Sequence, residues 1–318
     1  MDFWTNKRVV ALSGGVGGAK LVHGLARVLP PDVLRVIVNT GDDFEWMGCW
    51  ISPDLDTIMY TLSERAPIAR GWGIEGDSFE VMQGLKELGG PDWFAIGDQD
   101  LAVHLMRTHA MRQGRSLTEI TQDLFTAHTL RIPVLPMADS PQATIIEDTT
   151  GTQHSFQDWL VKLRAKPVVS RVIFAGDGQS TDAVLQEIAT ADLVMLPPSN
   201  PFVSIDPILR LRGVREALAD KVVLGVSPII DGAAVKGPLA EMIPPLLNEA
   251  PSASALAKYY ADLLDLYVVS HGDQRDDFPV PHAQADILMQ DIADRDRLAR
   301  TVLALVQQRG LLAGSGAS

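Results

Sequence analysis

Asp42 and Asp43 close the stretch NTGDD, and Asp54 and Asp56 follow in SPDLDTIMYTL. Adjacent carboxylates at a strand end are hard oxygen donors of the kind that suit Mg²⁺ shared with substrate phosphates. The alternative for Asp42 and Asp43 is a solvated acidic turn. Ser52, Pro53 and Asp54 look like a helix start, where the helix dipole favours an acid in the first turn. That accounts well for one of Asp54 and Asp56 and less well for both. Four acids a short loop apart are costly unless a cation neutralises them.

SGGVGGAK, residues 13–20, follows the apolar run Val9, Val10, Ala11, Leu12 and precedes Leu21, Val22, Leu25, Ala26 and Leu29 at helical spacing. It therefore lies between a strand and a helix. Backbone N–H groups at a helix start lack intrahelical partners, and glycines let a phosphate come close to them. Gly14, Gly15, Gly17 and Gly18 with Lys20 make a candidate anion loop, although glycine-rich turns also serve as plain β–α connections. A P-loop needs Gly-Lys followed by Ser or Thr, whereas Ala19 precedes Lys20 and Leu21 follows it. A dinucleotide fingerprint begun at Gly15 meets Lys20 at its third glycine, which disfavours an NAD-dependent dehydrogenase.

Two later loops add polar groups. PPSNPFVSIDPIL follows Leu193-Val-Met-Leu196 and offers Ser199 and Asn200, whose directional hydrogen bonds suit a base or ribose; GVSPIIDGAAVKGP places Lys236 beside Gly237, where a phosphate can meet it. Either loop alone is also an ordinary turn. Trp46, Trp50 and Trp72 offer faces for a flat heteroaromatic ligand, against core packing as the commoner fate of a tryptophan. His104 reads as a structural histidine, with a proton-transfer role as the alternative.

These loops must be held at strand ends, where α/β sheets collect ligands. Strands are predicted at 34–40, 132–135, 143–147, 168–174, 193–196, 221–226 and 266–269, alternating with helices near 182–190, 206–219, 253–264 and 293–309. The pattern predicts an α/β, Rossmann-like, three-layer and mainly parallel sheet. Residues 78–88, 98–113 and 116–127 read as helices without an intervening strand, so 64–130 is expected to be a helical insertion subdomain, with 1–63 and 131–318 forming the nucleotide-binding core. Leu101, Leu105 and Met106 are expected in the core. The Gly/Ala/Ser tail after 310 is expected to be disordered.

The chain has 318 residues, 46% hydrophobic and 21% charged, enough for a large core. A net charge of −13 argues against nucleic-acid binding, so an anionic ligand must be held locally by backbone amides, a few cations or a metal. Cys49 is the single cysteine, which excludes an internal disulfide and fits a reducing cytoplasm. No stretch reaches membrane-spanning length.

Taken in order, SGGVGGAKL, NTGDD, SPDLDTIMYTL, GWGIEGDSF, GDQDLAVHLMRT, LPMADSP, PPSNPFVSIDPIL and VSPIIDGAAVKGP resemble the CofD family, the 2-phospho-L-lactate transferases of coenzyme F-420 biosynthesis, from about residue 8 to 309. The resemblance implies an enzyme that joins the deazaflavin FO to a guanosine diphosphate-activated lactate, enolpyruvate or glycerate phosphate, releasing GMP. It implies Mg²⁺ on Asp43 and Asp54 with Asp42 in support, and Asp54 and Asp56 as catalytic residues. It further places Asp56, Trp72, Ala95 and Asp98 at FO, assigns Gly14, Gly15, Gly17, Gly18, Lys20, Ser199, Asn200 and Lys236 to the guanylyl donor, and implies a homodimer. Ala95, Gln99 and Ala143 depart from the family's usual polar or basic residues. A non-catalytic nucleotide-sugar-binding regulator of the same superfamily is the competing expectation, against which the acids of SPDLDT and the GDQDLAVH motif weigh.

Overall fold

The computed structural model describes residues 3–68, 70–273 and 277–312. Seven strands, β1 (Val9–Ser13), β2 (Leu34–Val38), β3 (Val134–Pro136), β4 (Leu193–Leu196), β5 (Val222–Val226), β6 (Leu266–Ser270) and β7 (His282–Ala285), form one sheet in the order β7-β6-β5-β4-β1-β2-β3. Every neighbouring pair is parallel. The expected Rossmann-like α/β sheet is present.

The apolar strands explain the layering. All five residues of β1 are buried, as expected of a parallel strand covered on both faces. Val9 and Ala11 enter one core cluster, while Val10 and Leu12 enter the other; Leu193 and Met195 of β4 part from Val194 and Leu196 in the same way. The first core lies under α1 (Gly15–Val28), α2 (Pro53–Leu62) and the C-terminal helix Ile292–Gln308; the second lies under the helices at Asp182–Ala189, Leu239–Leu247 and Ala253–Tyr259. Helix α1 ends at Leu29, whose extended backbone is what a residue preceding Pro30 requires.

From β1 the sheet runs outward through β2 on one side, and from β4 through β5 on the other. The adjacent carboxyl ends of β1 and β4 therefore form a topological switch point, where open α/β sheets leave a crevice. The glycine loop leaves β1 there and the Pro197–Asn200 turn leaves β4.

Several elements differ from the sequence expectation. The strands Ala143–Asp148 and Val169–Ala175 are outside the parallel sheet; with Gln153–Ser155 they form a separate antiparallel one. Ala143–Asp148 alternates in burial and Val169–Ala175 is largely open to solvent, and strands with one wet face suit an antiparallel layer. The expected helix 206–219 divides into Asp206–Leu209 and Val214–Leu218, with Gly213 in the left-handed region between them (φ 84°). The edge strand β7 and the hairpin Phe44–Trp46/Cys49–Ile51 were not expected.

Between α2 and β3 come three helices, α3 (Glu80–Glu87), α4 (Asp98–Arg112) and α5 (Leu117–Ala127). Ser116 and Glu119 close a capping box at the start of α5. Leu105 and Met106 of α4 are not core: they are 53% and 61% exposed, because α4 turns its Val103, His104 and Arg107 side inward. Of the tail after 310, Leu312 is buried, and residues 313–318 lie outside the described residues.

Candidate active site

A cavity of about 490 Å³ opens at the switch point. Its lining joins the glycine loop, the acids after β2 and on α2, the turn after β4 and the Lys236 loop. Backbone geometry makes the glycine loop possible. Gly15 has φ 65°, a left-handed conformation that side chains resist, and a Cβ on Gly17 would lie 2.3 Å from the carbonyl oxygen of Pro198. The loop is braced rather than free: Gly15 N donates to Asp54 Oδ1 at 2.7 Å, and Ser199 Oγ donates to the Gly14 carbonyl at 2.8 Å.

The acids meet around Asn39, the last polar residue before TGDD. Its side-chain amide donates to Asp42 Oδ1 at 2.7 Å and to Asp54 Oδ2 at 2.9 Å, while its oxygen accepts from Gly41 N at 2.8 Å. Gln157 Nε2 reaches Asp42 Oδ2 at 3.4 Å. Asp43 lies off the cavity surface and accepts from Ser52 Oγ at 2.6 Å and Trp50 Nε1 at 3.3 Å. None of these hydrogen-bond partners is a cation.

Burial pushes all three carboxyls upward. Asp42 stands well above the usual carboxylate range because it is desolvated and faces Asp54 and Asp43; Asp43 is raised mainly by desolvation; Asp54 is raised to about 6 by burial, against the hydrogen bonds from Asn39 and Gly15. Asp43 Oδ1 is a buried oxygen with no partner among the described residues. Asp42 and Asp54, brought together at Asn39, are oxygen donors of the kind a hard divalent cation takes, whereas Asp43, with its orphaned Oδ1 behind the cavity surface, does not close with them into a three-ligand cluster.

Asp56 is held differently. On α2 it stands a helical turn before Tyr60, and facing it on α4 are Asp100, His104 and Arg107 at spacings of four and three. The Arg107 guanidinium grips both oxygens of Asp56, with Nη1 at 3.1 Å from Oδ2. Tyr60 OH donates to Asp100 Oδ1 at 2.7 Å. Donor atoms of Asp56, Asp100 and His104 lie within 4.8 Å of one another, but Arg107 already supplies the cation there.

A model of the family described as 2-phospho-L-lactate transferase CofD matches residues 9–307. The chain belongs to the CofD family. It is 38% identical over 302 residues to the 2-phospho-L-lactate transferase of Methanosarcina mazei, covering 93% of this chain and 99% of that one. It is likewise 38% identical over 315 residues to the phosphoenolpyruvate transferase of Kitasatospora aureofaciens, covering 95% and 98%. A UPF0052 family protein from Bacillus halodurans shares the fold, with a TM-score of 0.62 at 15% identity over 93% of this chain and 98% of that one.

This CofD family member brings most of the sequence-selected residues to one cavity: Gly14, Gly15, Gly17, Lys20, Asp42, Asp54, Asp56, Trp72, Ala95, Ser199, Asn200 and Lys236 all line it. Three do not. Gly18 is a packing position, where a Cβ would lie 2.4 Å from Ser13 Oγ. Asp43 lies behind the surface, and Asp98 turns to α3, accepting from Ser78 Oγ at 2.6 Å and from the amides of Glu80 and Val81. Asn200 caps the turn that follows it by accepting from Phe202 N at 3.0 Å. Lys20 Nζ donates to the Met289 carbonyl at 2.7 Å and Lys236 Nζ to the Arg70 carbonyl. Burial lowers both lysines, with Arg295 and Lys236 adding to the effect on Lys20.

Sequence reasoning missed Asn39, Arg107, Gln157 and the apolar wall of Phe156, Leu160 and Val161. For Arg107 there was a signal, the matching helical spacings of Asp56 with Tyr60 and of Asp100, His104 and Arg107. Gln157 reaches the cavity from the antiparallel insertion, which nothing local in the sequence ties to the acids.

Proposed function

We propose that the protein transfers a phospho-acyl group from a guanosine diphosphate-activated donor to the terminal ribityl hydroxyl of FO, releasing GMP, as a Mg²⁺-dependent step of coenzyme F-420 biosynthesis. The observation that carries this reading is the 2.7 Å hydrogen bond from Gly15 N to Asp54 Oδ1, which puts the anion loop and the metal-type carboxylates at one point. The names of the relatives support the transferase class and span two acids, phospholactate and phosphoenolpyruvate.

In-line phosphoryl transfer is served mainly by positioning and charge stabilisation. In this reading the glycine loop, Lys20 and Lys236 take the donor's diphosphate, and the turn at Ser199 and Asn200 takes its guanylyl end. Asp42 and Asp54, with Asp43 behind them, would hold Mg²⁺, which would supply neutralisation of the phosphate charge. The deazaflavin lies toward Trp72, which is 41% exposed at the rim with the Arg70 guanidinium 4.3 Å from its ring centre, and toward Phe94 and Ala95. Its hydroxyl meets Asp56, which accepts the hydrogen bond and then the proton. The oxygen attacks the phosphorus beside the acid, the bond from that phosphorus to the bridging oxygen breaks, and GMP leaves with the bridging oxygen.

The test incubates the protein with FO, Mg²⁺ and each guanylyl donor in turn, following GMP and the phosphorylated deazaflavin by mass spectrometry. A magnesium-dependent product from one donor is expected and names the acid. A folded protein that binds the guanylyl donor yet forms no product from any of them overturns the reading in favour of a binding protein.

A further inference from the structure

We infer that Arg107 is the positioning residue for Asp56, with His104 bracing it from the preceding turn of α4, so that α4 sets the direction in which Asp56 meets the acceptor hydroxyl. The inference rests on the transferase reading and adds a part for residues to which that reading gives no task.

Asp56 is 4% exposed and Arg107 is 2% exposed, so neither charge is stable there without the other. The guanidinium is a planar fork whose two ends match the two oxygens of a carboxylate, and a bidentate pair fixes the carboxylate plane as well as its charge. An ionised carboxylate has about four lone-pair positions. Arg107 takes one on each oxygen, and Asp56 lies on the cavity wall with acceptor capacity left for a hydroxyl arriving from that side.

What holds the fork is equally specific. His104 Nδ1 lies 3.3 Å from Arg107 Nη1, and because a guanidinium only donates, Nδ1 accepts. Nε2 of the same ring faces Asp100 Oδ1 at 3.3 Å without closing a hydrogen bond, and Asp100 is itself anchored by Tyr60 OH. Nη1 thus has one hydrogen for Asp56 and one for His104. The chain His104–Arg107–Asp56 runs along α4 and crosses once to α2, and both of its ends, His104 and Asp56, stand on the cavity wall. A lysine at 107 would keep the charge and lose the plane, since an ammonium is a point charge on a flexible stem.

The test measures kcat, the KM for FO and the dissociation constant of the guanylyl donor for the wild type, Arg107→Lys, Arg107→Ala and His104→Ala, with each variant's folding checked by its melting transition. Displacing a reacting partner by about 1 Å costs on the order of 100-fold in rate. For Arg107→Lys the expectation is a fall in kcat of about 10- to 100-fold with donor affinity unchanged within about twofold. Arg107→Ala falls further and is partly restored by millimolar guanidinium but not by methylammonium; His104→Ala loses less than Arg107→Lys. Wild-type kcat in a folded Arg107→Lys overturns the inference alone, as does a loss of donor binding that matches the loss of rate. A wild type inactive with every donor overturns the transferase reading and this inference with it.

Discussion

The sharpest energetic statement belongs to single residues. Asp42, Asp43 and Asp54 are buried with neutral hydrogen-bond partners, the charge of Arg107 easing only Asp43, and their raised proton affinities mean that the folded chain resists their charge. Relieving one charge should therefore stabilise the metal-free protein while removing its response to metal. Asp54→Asn is expected to raise the metal-free stability at neutral pH by on the order of 1 kcal/mol, less whatever the changed hydrogen bonds to Gly15 and Asn39 cost. Millimolar Mg²⁺ should then raise the melting temperature of the wild type and leave that of the variant where it was. Thermal melts of both proteins with and without Mg²⁺ check the reversal, and an equal rise in the two sinks the metal assignment to Asp54. The acids themselves were legible in the sequence because two close pairs of carboxylates at a strand end and a helix start have few ordinary uses. Asn39, which ties Asp42 to Asp54, was not, because an asparagine before a turn is indistinguishable from a turn former until the chain brings α2 back to it.

Among elements, the strands buried throughout were readable, and the two that leave a face to solvent, Ala143–Asp148 and Val169–Ala175, were misplaced. Leu193–Leu196 is buried at every position, whereas Ala143–Asp148 alternates and belongs to the smaller antiparallel sheet. On α4 a count of apolar residues put Leu105 and Met106 inside, but the helix buries its polar stripe because that stripe is the one that meets Asp56 and Tyr60. The junction between the β1 and β4 turns gives a paired prediction from two glycines. A Cβ on Gly17 meets the Pro198 carbonyl at 2.3 Å, so Gly17→Ala must move one turn away from the other and is expected to cost about 2 kcal/mol or more, with weaker guanylyl binding. Gly84 in α3 has nothing within 4 Å of its Cβ position, so Gly84→Ala should raise stability by about 0.5–1 kcal/mol and leave binding alone. Urea unfolding together with donor titration of the two variants checks both signs.

Across the whole molecule, stability also depends on the seam between α1 and the C-terminal helix, far from the acids in sequence. His23 is 2% exposed there, with Nδ1 at 3.3 Å from Arg295 Nη1 and Nε2 at 3.3 Å from Glu64 Oε1. Burial, and next the charge of Arg295, hold its proton affinity below the ordinary value of 6.5, and Glu64 offsets this only in part. The folded chain therefore keeps His23 neutral at a pH where the unfolded chain has already taken up a proton. Stability from this residue is complete above about pH 6.5 and is lost as the pH falls below it, by at most about 1.4 kcal/mol per pH unit, until the folded histidine also protonates. The raised aspartates act in the opposite sense, since the cost of burying their charge disappears as the pH falls through their folded values, about 6 for Asp54. A single pH profile thus mixes two signs, and the difference between the wild type and His23→Gln isolates one of them. Urea unfolding at steps from pH 5 to 8 should show the variant losing less stability than the wild type on acidification; parallel profiles would mean that His23 protonates equally in both states and that the seam carries no pH dependence.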